Sequence, residues 1–239
     1  MSALSAEISI NGEAAMKTQK RVALIADDDE FFRMALATIL TSKLKFADVV
    51  QAASLDEAVE KLSARSDISL ALFDLAMPGM ESPANLRAVR DCFESLLVAV
   101  VSGSKNRQDI LSALEAGVHG YVPKGLGVAE LTHALQLIVD GVIYVPPSIA
   151  TLPSAAQEQP ATSRESSVPP KSALTALTPR QRSVLALLVQ GKSNKAIARD
   201  LDLGEGTVKV HMAALFRSLG VRTRTAAAVA GGRLLQPGP

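Results

Sequence analysis

Polar and charged side chains follow directly after apolar runs at several points of this 239-residue chain. Asp27, Asp28 and Asp29 follow the first such run, Asp74 follows a later one, and Lys124 follows the last. Carboxylates that share one site repel each other unless a cation neutralises them. Oxygen ligands with room for water favour Mg²⁺. A carboxylate beside such a cation and a lysine can attack a phosphoryl donor.

The apolar runs are typical of strands in a parallel sheet. Several are apolar on successive residues, as in strands that are covered on both faces. Helix signatures lie between them, including the capping box at 54–57, Ser82 before Pro83, and stops at Gly117 and Gly141. The pattern predicts an α/β fold with a doubly wound, five-stranded parallel sheet. The predicted strands are 21–26, 48–52, 68–73, 96–101 and 120–122.

In such a sheet, ligands bind at the carboxyl ends of the strands. The acidic residues, Ser102 and Lys124 all follow strands, so we expect them to converge there. An isolated acidic triplet is more often a helix N-cap with charges that the helix dipole favours. That alternative applies to residues 27–29.

Charge divides the chain into two unlike parts. Residues 21–145 hold 11 Lys and Arg against 17 Asp and Glu, whereas residues 171–239 hold 11 against 3. Six of the 12 prolines lie between Pro146 and Pro170, a composition typical of a flexible linker. We therefore predict a tail, an acidic domain, a linker and a basic domain that meets a polyanion, although the basic residues could simply be solvated. Their bounds are 1–20, 21–145, 146–172 and 173–239.

The basic part has the pattern of an all-α, four-helix domain. Thr178, followed by Pro179 and by Gln181, indicates the start of the first helix. A helix, a turn and a basic helix then form the outline of a helix-turn-helix unit. The predicted helices are 179–190, 193–201, 207–219 and 226–234.

The acidic domain resembles the receiver domain of two-component response regulators, a flavodoxin-like fold. The resemblance implies that Asp74 accepts a phosphoryl group from a histidine kinase. It also implies that Mg²⁺ is held by Asp27, Asp28, Asp74 and the backbone carbonyl of Ala76. The matching blocks are LIADDDEFFR (24–33), LFDLAMPGM (72–80), VVSG (100–103) and GYVPK (120–124).

Three further roles follow from the receiver resemblance. Lys124 and Ser102 would contact the phosphoryl oxygens, and the rotamer of Tyr121 would report the phosphorylated state. For Ser102 and Tyr121, ordinary packing at a strand end is an equal alternative.

The basic domain resembles the LuxR-type DNA-binding domain, and the whole chain resembles response regulators of the NarL/FixJ subfamily. Its blocks are LTPRQ (177–181), QGKSNKAIA (190–198), GTVKVH (206–211) and LGV (219–221). The resemblance implies that helix 207–219 enters the major groove, with some side chains facing base edges and others the phosphates. The candidate base contacts are Lys209 and Val210, and the candidate phosphate contacts are Lys195, Thr207, His211 and Arg217.

Two departures and two alternatives qualify the predicted DNA contacts. Gly204 stands where the family often has a capping Ser, and the alanines at 213 and 214 replace common polar readers. Thr207 could be a plain helix-start hydrogen bond, and His211 a packed helix residue. Base readout could therefore depend on Lys209 and DNA shape.

The expected function is that of a transcriptional regulator and not of an enzyme with an external substrate. Phosphorylation of Asp74 would drive homodimerisation and raise the affinity for double-stranded DNA; alternatively, the acidic domain masks the basic one until it is phosphorylated. A phosphorylation-independent or protein-binding regulator is another hypothesis. An aspartyl-nucleophile phosphatase is a third, which Phe31 disfavours, because that family has Thr or Val there.

Composition sets the expected compartment. Cys92 is the only cysteine, so no disulfide can form within the chain. The sequence shows neither a signal peptide nor a run of apolar residues long enough to span a membrane. We therefore expect a cytoplasmic protein with no membrane partner.

Overall fold

The computed structural model describes residues 21–150 and 177–235. The predicted tail (1–20) and nearly all of the predicted linker lie outside the described residues. At the start of that linker, Pro147–Ala150 form a short 3₁₀ helix.

The first domain is built on a five-stranded sheet in which every neighbouring pair is parallel, in the order β2-β1-β3-β4-β5. This arrangement confirms the predicted doubly wound fold. The three central strands, β1, β3 and β4, are almost wholly buried, as their continuous apolar runs predict, whereas the edge strand β2 is largely half-buried. The strands are β1 (Val22–Ala26), β2 (Asp48–Ala52), β3 (Ile68–Phe73), β4 (Leu97–Ser102) and β5 (Tyr121–Pro123).

Helices cover both faces of the sheet. One apolar cluster joins the sheet to α1 and α5, and the other joins it to α2, α3 and α4. The predicted stops are present, because Gly117 and Gly141 adopt positive φ angles after α4 and α5. The helices are α1 (Glu30–Ser42), α2 (Leu55–Ala64), α3 (Pro83–Cys92), α4 (Arg107–Glu115) and α5 (Val128–Val139).

The second domain consists of four helices around a separate apolar cluster. The predicted capping box is formed, since the Thr178 side chain accepts from the backbone N–H of Gln181 and the Gln181 side chain accepts from that of Thr178. The helices are α6 (Pro179–Val189), α7 (Asn194–Asp200), α8 (Glu205–Ser218) and α9 (Arg224–Leu235).

Helix α8 begins two residues earlier than the sequence pattern predicts. Gly204 adopts an extended backbone conformation as its N-cap and provides no side-chain hydrogen bond. The acidic Glu205 occupies the first turn, where the helix dipole favours a negative charge. The sequence placed the start at the β-branched Thr207 because no capping side chain precedes Glu205.

We predict that Leu185→Ala destabilises the second domain by about 2–5 kcal/mol, the usual effect of removing a buried leucine side chain. Leu185 is fully buried in the four-helix core, whereas Leu187 of the same helix is only partly buried. Leu187→Ala is therefore the matched control and should have a clearly smaller effect. Urea unfolding followed by circular dichroism measures both, and equal losses would contradict this description of the core.

Candidate functional site

The carboxyl ends of three strands bring two carboxylates and one ammonium together. Asp27 follows β1, Asp74 follows β3 and Lys124 follows β5. The Nζ atom of Lys124 lies 2.7 Å from Oδ2 of Asp27 and 3.5 Å from Oδ2 of Asp74. Asp27 is only 2% exposed and Asp74 only 3%, so their charges depend on nearby polar partners.

The ammonium group of Lys124 is held in its charged form. Partial burial opposes the charge, but the hydrogen bond to Asp27 and the nearby charge of Asp74 outweigh it and raise the pKa of Lys124. The Nζ atom also lies 4.8 Å from the centre of the Phe32 ring, in cation–π range. Lys124 is therefore fixed as a positive charge beside Asp74.

The acidic triplet divides between two tasks. Asp29 is the N-cap of α1, because its Oδ1 accepts from the backbone N–H of Phe32 at 3.1 Å. Asp28 is exposed and offers an oxygen that lies within 4.8 Å of oxygens of Asp27 and Asp74. The capping alternative thus describes Asp29, while Asp27 and Asp28 form an acidic cluster with Asp74.

One oxygen of Asp74 is left without a partner. Oδ2 accepts from the backbone N–H of Ala76 at 3.2 Å and faces Lys124. Oδ1 is buried and has no hydrogen-bond partner among the described residues. Asp74 lines a cleft of about 480 Å³ together with Asp28, Ala76 and Lys124. A buried carboxylate oxygen beside two other carboxylates fits the donor set of a hard divalent cation.

Ser102 and Tyr121 both hydrogen-bond to Ser104, shortly after β4. Ser102 lines the cleft, and its hydroxyl accepts from the backbone N–H of Ser104. Tyr121 is fully buried, and its hydroxyl donates to the carbonyl of Ser104 at 2.8 Å. Burial raises the pKa of Tyr121, so the hydroxyl is kept as a donor. Both residues thus contact the segment after β4.

Helix α8, the predicted recognition helix, lies against the first domain. Thr207, Val210 and His211 are each 1% exposed, and Val210 is part of the apolar cluster that contains α2 and α3. Arg217 forms an ion pair with Asp91 of α3. Three of the six candidate DNA contacts are therefore buried and Arg217 is half-buried in its ion pair, whereas Lys195 and Lys209 are exposed.

Polar contacts between the domains centre on Asp56, in the first turn of α2. Its Oδ2 lies 2.7 Å from Nη2 of Arg180, and its Oδ1 lies 2.6 Å from Nε2 of His211. A second contact joins Asn85 to Gln181 at 3.5 Å. Neither Asp56 nor Arg180 was predicted as a contact, because an acid in a first turn is already explained by the helix dipole and Arg180 lies in a helix-start motif.

Comparisons with known proteins agree with both halves of the chain. The response regulator receiver domain matches residues 23–136, and the LuxR family of bacterial regulatory proteins matches residues 175–230. The glycerol metabolism activator of Pseudomonas putida is 34% identical over 87% of this chain and 94% of its own length. The nitrate/nitrite response regulator NarL of Escherichia coli K12 is 31% identical over 86% of this chain and 92% of its own. The RcsB response regulator of Salmonella typhimurium is similar in fold, with a TM-score of 0.51 at 20% identity over 88% of this chain and 97% of its own.

The chain belongs to the NarL-type response regulators, which join a receiver domain to a LuxR-type DNA-binding domain. It is a DNA-binding response regulator, as the sequence predicts. Within residues 21–150 and 177–235, no helix is both long enough and apolar enough to cross a bilayer.

We predict that Lys124→Gln destabilises the receiver domain by about 1.5–3 kcal/mol at neutral pH, the usual effect of losing a hydrogen bond to a charged group. Because the pKa of Lys124 is raised above its ordinary 10.5, its contribution is complete below pH 10.5 and is lost as the pH rises through the raised value. The difference in unfolding free energy between wild type and variant should therefore become smaller at strongly alkaline pH. Urea unfolding across a pH series measures it.

Lys105→Gln is the charge-matched control, because Lys105 is an exposed lysine of the same domain. It should leave the stability close to that of the wild type. If the difference in unfolding free energy between wild type and Lys124→Gln grew as the pH rose, the charged ammonium of Lys124 would not be the stabilising group.

Proposed function

We propose that Asp74 is the phosphoacceptor of this response regulator and that its phosphorylation by a histidine kinase controls DNA binding. The observation that carries the proposal is the unpaired, buried Oδ1 of Asp74 in a cleft beside the fixed charge of Lys124. A nucleophilic oxygen without a hydrogen-bond partner has its lone pairs free for an incoming electrophile. The adjacent ammonium stabilises the charge that develops on the transferred group.

The transfer uses residues that already line the cleft. An oxygen of Asp74 attacks phosphorus, a P–O bond forms, and the P–N bond to the kinase histidine breaks. The bonding electrons return to the imidazole nitrogen, which takes up a proton. Lys124 and the Ser102 hydroxyl are close enough to the cleft to bind the oxygens of the transferred group.

The same oxygens provide a Mg²⁺ site. Asp27, Asp28, Asp74 and the carbonyl of Ala76 would hold the ion, which would supply positive charge to the phosphoryl oxygens. Asp27 and Asp74 share one ammonium, which cannot neutralise three carboxylates by itself. A divalent cation would complete the charge balance, and this supports a Mg²⁺ requirement.

The covered recognition helix supports the masking form of the control mechanism. In this arrangement, which we call the closed chain, α8 packs against the receiver domain through Val210 and His211. These side chains cannot contact DNA at the same time. Phosphorylation would separate the domains and allow two copies of the chain to pair on two half-sites. Phosphorylation would then control DNA binding by exposing a face of α8 that is already folded.

Asp74→Asn should abolish phosphorylation by a small acyl phosphate in the presence of Mg²⁺, because the amide is not a nucleophile. Mass spectrometry should find one added phosphoryl group on the wild type and none on the variant. The donor should raise the DNA affinity of the wild type by at least about fivefold, within the usual range of coupling between two sites. It should leave the affinity of Asp74→Asn unchanged.

Asp67→Asn is the matched control, since Asp67 is an acidic residue outside the pocket that pairs with Arg65. It should be phosphorylated like the wild type. If the donor stimulated DNA binding by Asp74→Asn as strongly as by the wild type, Asp74 would not be the control point.

Asp28→Asn should weaken Mg²⁺ binding by at least about tenfold, the loss seen when even an outer partner of a metal ligand is removed. Asp29→Asn is the control, because Asn caps a helix as well as Asp and the fold should be kept. Calorimetric titration with Mg²⁺ compares the two neighbours. Equal affinities would show that Asp28 is not a ligand.

A further inference from the structure

Three polar groups of the DNA-binding domain converge on a single receiver residue, Asp56. Arg180 places Nη2 and Nε at 2.7 and 3.0 Å from Oδ2 of Asp56. His211 places Nε2 at 2.6 Å from Oδ1. The hydroxyl of Thr207 donates to the backbone carbonyl of Asp56 at 3.4 Å. The carboxylate of Asp56 thus lies between a guanidinium and an imidazole, and the hydroxyl of Thr207 binds the backbone of the same residue.

The donors belong to the outer face of the DNA-binding domain. Along α8, Val208, Met212 and Leu215 point into the core of their own domain. Val210 and Ala214 pack instead into the receiver cluster. Thr207 and His211 share this receiver-facing side, since both bind Asp56. The face that meets Asp56 is therefore the face that is free to meet another partner once the domains separate.

The chemistry at Asp56 matches that of a DNA phosphate. Guanidinium, imidazole and hydroxyl groups at the start of a helix are typical phosphate ligands, and a phosphate diester carries one negative charge, as a carboxylate does. Burial of Asp56 opposes its charge, but His211 and Arg180 outweigh this effect and lower its pKa. Asp56 is therefore anionic at neutral pH, as a DNA phosphate is.

We propose that Asp56 is a phosphate mimic: its carboxylate holds Arg180 and His211 as a backbone phosphate of duplex DNA would hold them, and its backbone carbonyl takes the hydroxyl of Thr207. The receiver and DNA then compete for the same atoms, and not merely for the same space. This inference rests on the proposed masking of the recognition helix and adds the residue that performs it. It also assigns Arg180, which was not among the predicted DNA contacts, to the DNA interface.

The close approach of the two domains depends on a small residue. Gly206, in the first turn of α8, lies against Ser63 of α2, and a Cβ at Gly206 would collide with the Ser63 side chain. Ser63 itself is exposed. A larger side chain at 63 would therefore push α8 away from Asp56 and leave the DNA-binding domain unaltered.

A mimic and a simple clamp between domains predict different results for Arg180. If Arg180 only clamps the domains together, its loss frees the DNA-binding face and DNA affinity can only rise. If Arg180 also binds a DNA phosphate, its loss in an already open chain lowers affinity. It also lowers the salt dependence of binding, because one fewer phosphate is neutralised.

The first test compares Asp56→Asn with Glu130→Gln in the full chain without a phosphodonor. Each change removes one acidic charge from the first turn of a receiver helix, and Glu130 is exposed on α5. Fluorescence anisotropy with a labelled duplex of mixed sequence measures the affinity. Asp56→Asn should raise it by at least about fivefold, and Glu130→Gln should leave it at the wild-type value.

The second test adds Arg180→Gln to Asp56→Asn. Affinity should fall, and the slope of log K against log salt should become shallower by about 1. Arg182→Gln is the control: Arg182 is exposed on the same helix, and residues two apart lie about 200° apart around a helix axis. It should change neither quantity in the Asp56→Asn background.

Ser63→Gln provides an independent way to open the chain if Asp56→Asn does not fold. It should also raise the affinity for the duplex, and Arg180→Gln should reverse that gain. An unchanged affinity in both opened variants would overturn the role of Asp56 as a cover. If adding Arg180→Gln to an opened variant changed neither the DNA affinity nor its salt dependence, Arg180 would not bind a DNA phosphate. Asp56 would then only hold the two domains together.

The outcome is separable from that of the phosphorylation proposal. These measurements use no phosphodonor, so they hold whether or not Asp74 is phosphorylated. If neither opened variant binds the duplex at all, the DNA-binding function fails together with the mimic. If both bind tightly while the phosphodonor has no effect on the wild type, only the phosphorylation switch fails.

Discussion

The arrangement of charge at the carboxyl edge of the sheet constrains the rest of the receiver. Asp27 and Asp74 are nearly inaccessible to solvent, and both depend on the one ammonium of Lys124. These three residues are far apart in the sequence and meet only because parallel strands end at the same edge. Any charge added at Asp74 therefore changes the electrostatic balance between the two carboxylates and Lys124, and with it the loops that follow these strands.

The loop after Asp74 is linked by hydrogen bonds to the receiver residues that contact the second domain. The carbonyl of Pro78 accepts from the backbone N–H of Leu55, the residue before Asp56. The carbonyl of Gly79 accepts from the side chain of Asn85, which also contacts Gln181 of the DNA-binding domain. The loop after Asp74 therefore positions both receiver helices that hold α8.

Gly79 allows the loop after Asp74 to pack closely against the start of α2. It adopts a φ of +87°, and a Cβ there would lie 3.1 Å from Cβ of Leu55. A glycine lets the loop take the left-handed conformation and lie against the start of α2. A displacement of the loop by even a fraction of an ångström would thus press directly on the helix that carries Asp56. This contact is a physical route by which two states of the pocket can favour two positions of the DNA-binding domain.

Much of the fold could be predicted from local patterns. Continuous apolar runs predicted the strands, and Ser54 and Thr178 predicted two helix starts, because capping depends on neighbours in sequence. Local patterns could not separate Asp28 from Asp29, since either could cap α1 and only the backbone geometry decides; the receiver resemblance alone placed Asp28 among the Mg²⁺ ligands. It also could not show that Asp56 meets Arg180, because a contact between independent domains leaves no periodicity in either one.

The charge division along the chain has a further consequence. An acidic receiver and a basic reader attract each other by the same forces that attract the reader to DNA. Tethering the receiver to the reader makes their encounter intramolecular, so a modest contact can compete with a polyanion present at a low concentration. The contact must also remain weak enough for a single phosphoryl group to release it. The polar part of the contact centres on Asp56, while Val210 and Ala214 add apolar packing against the receiver, so losing the contacts of Asp56 would weaken the interface without requiring any change in the core of either domain.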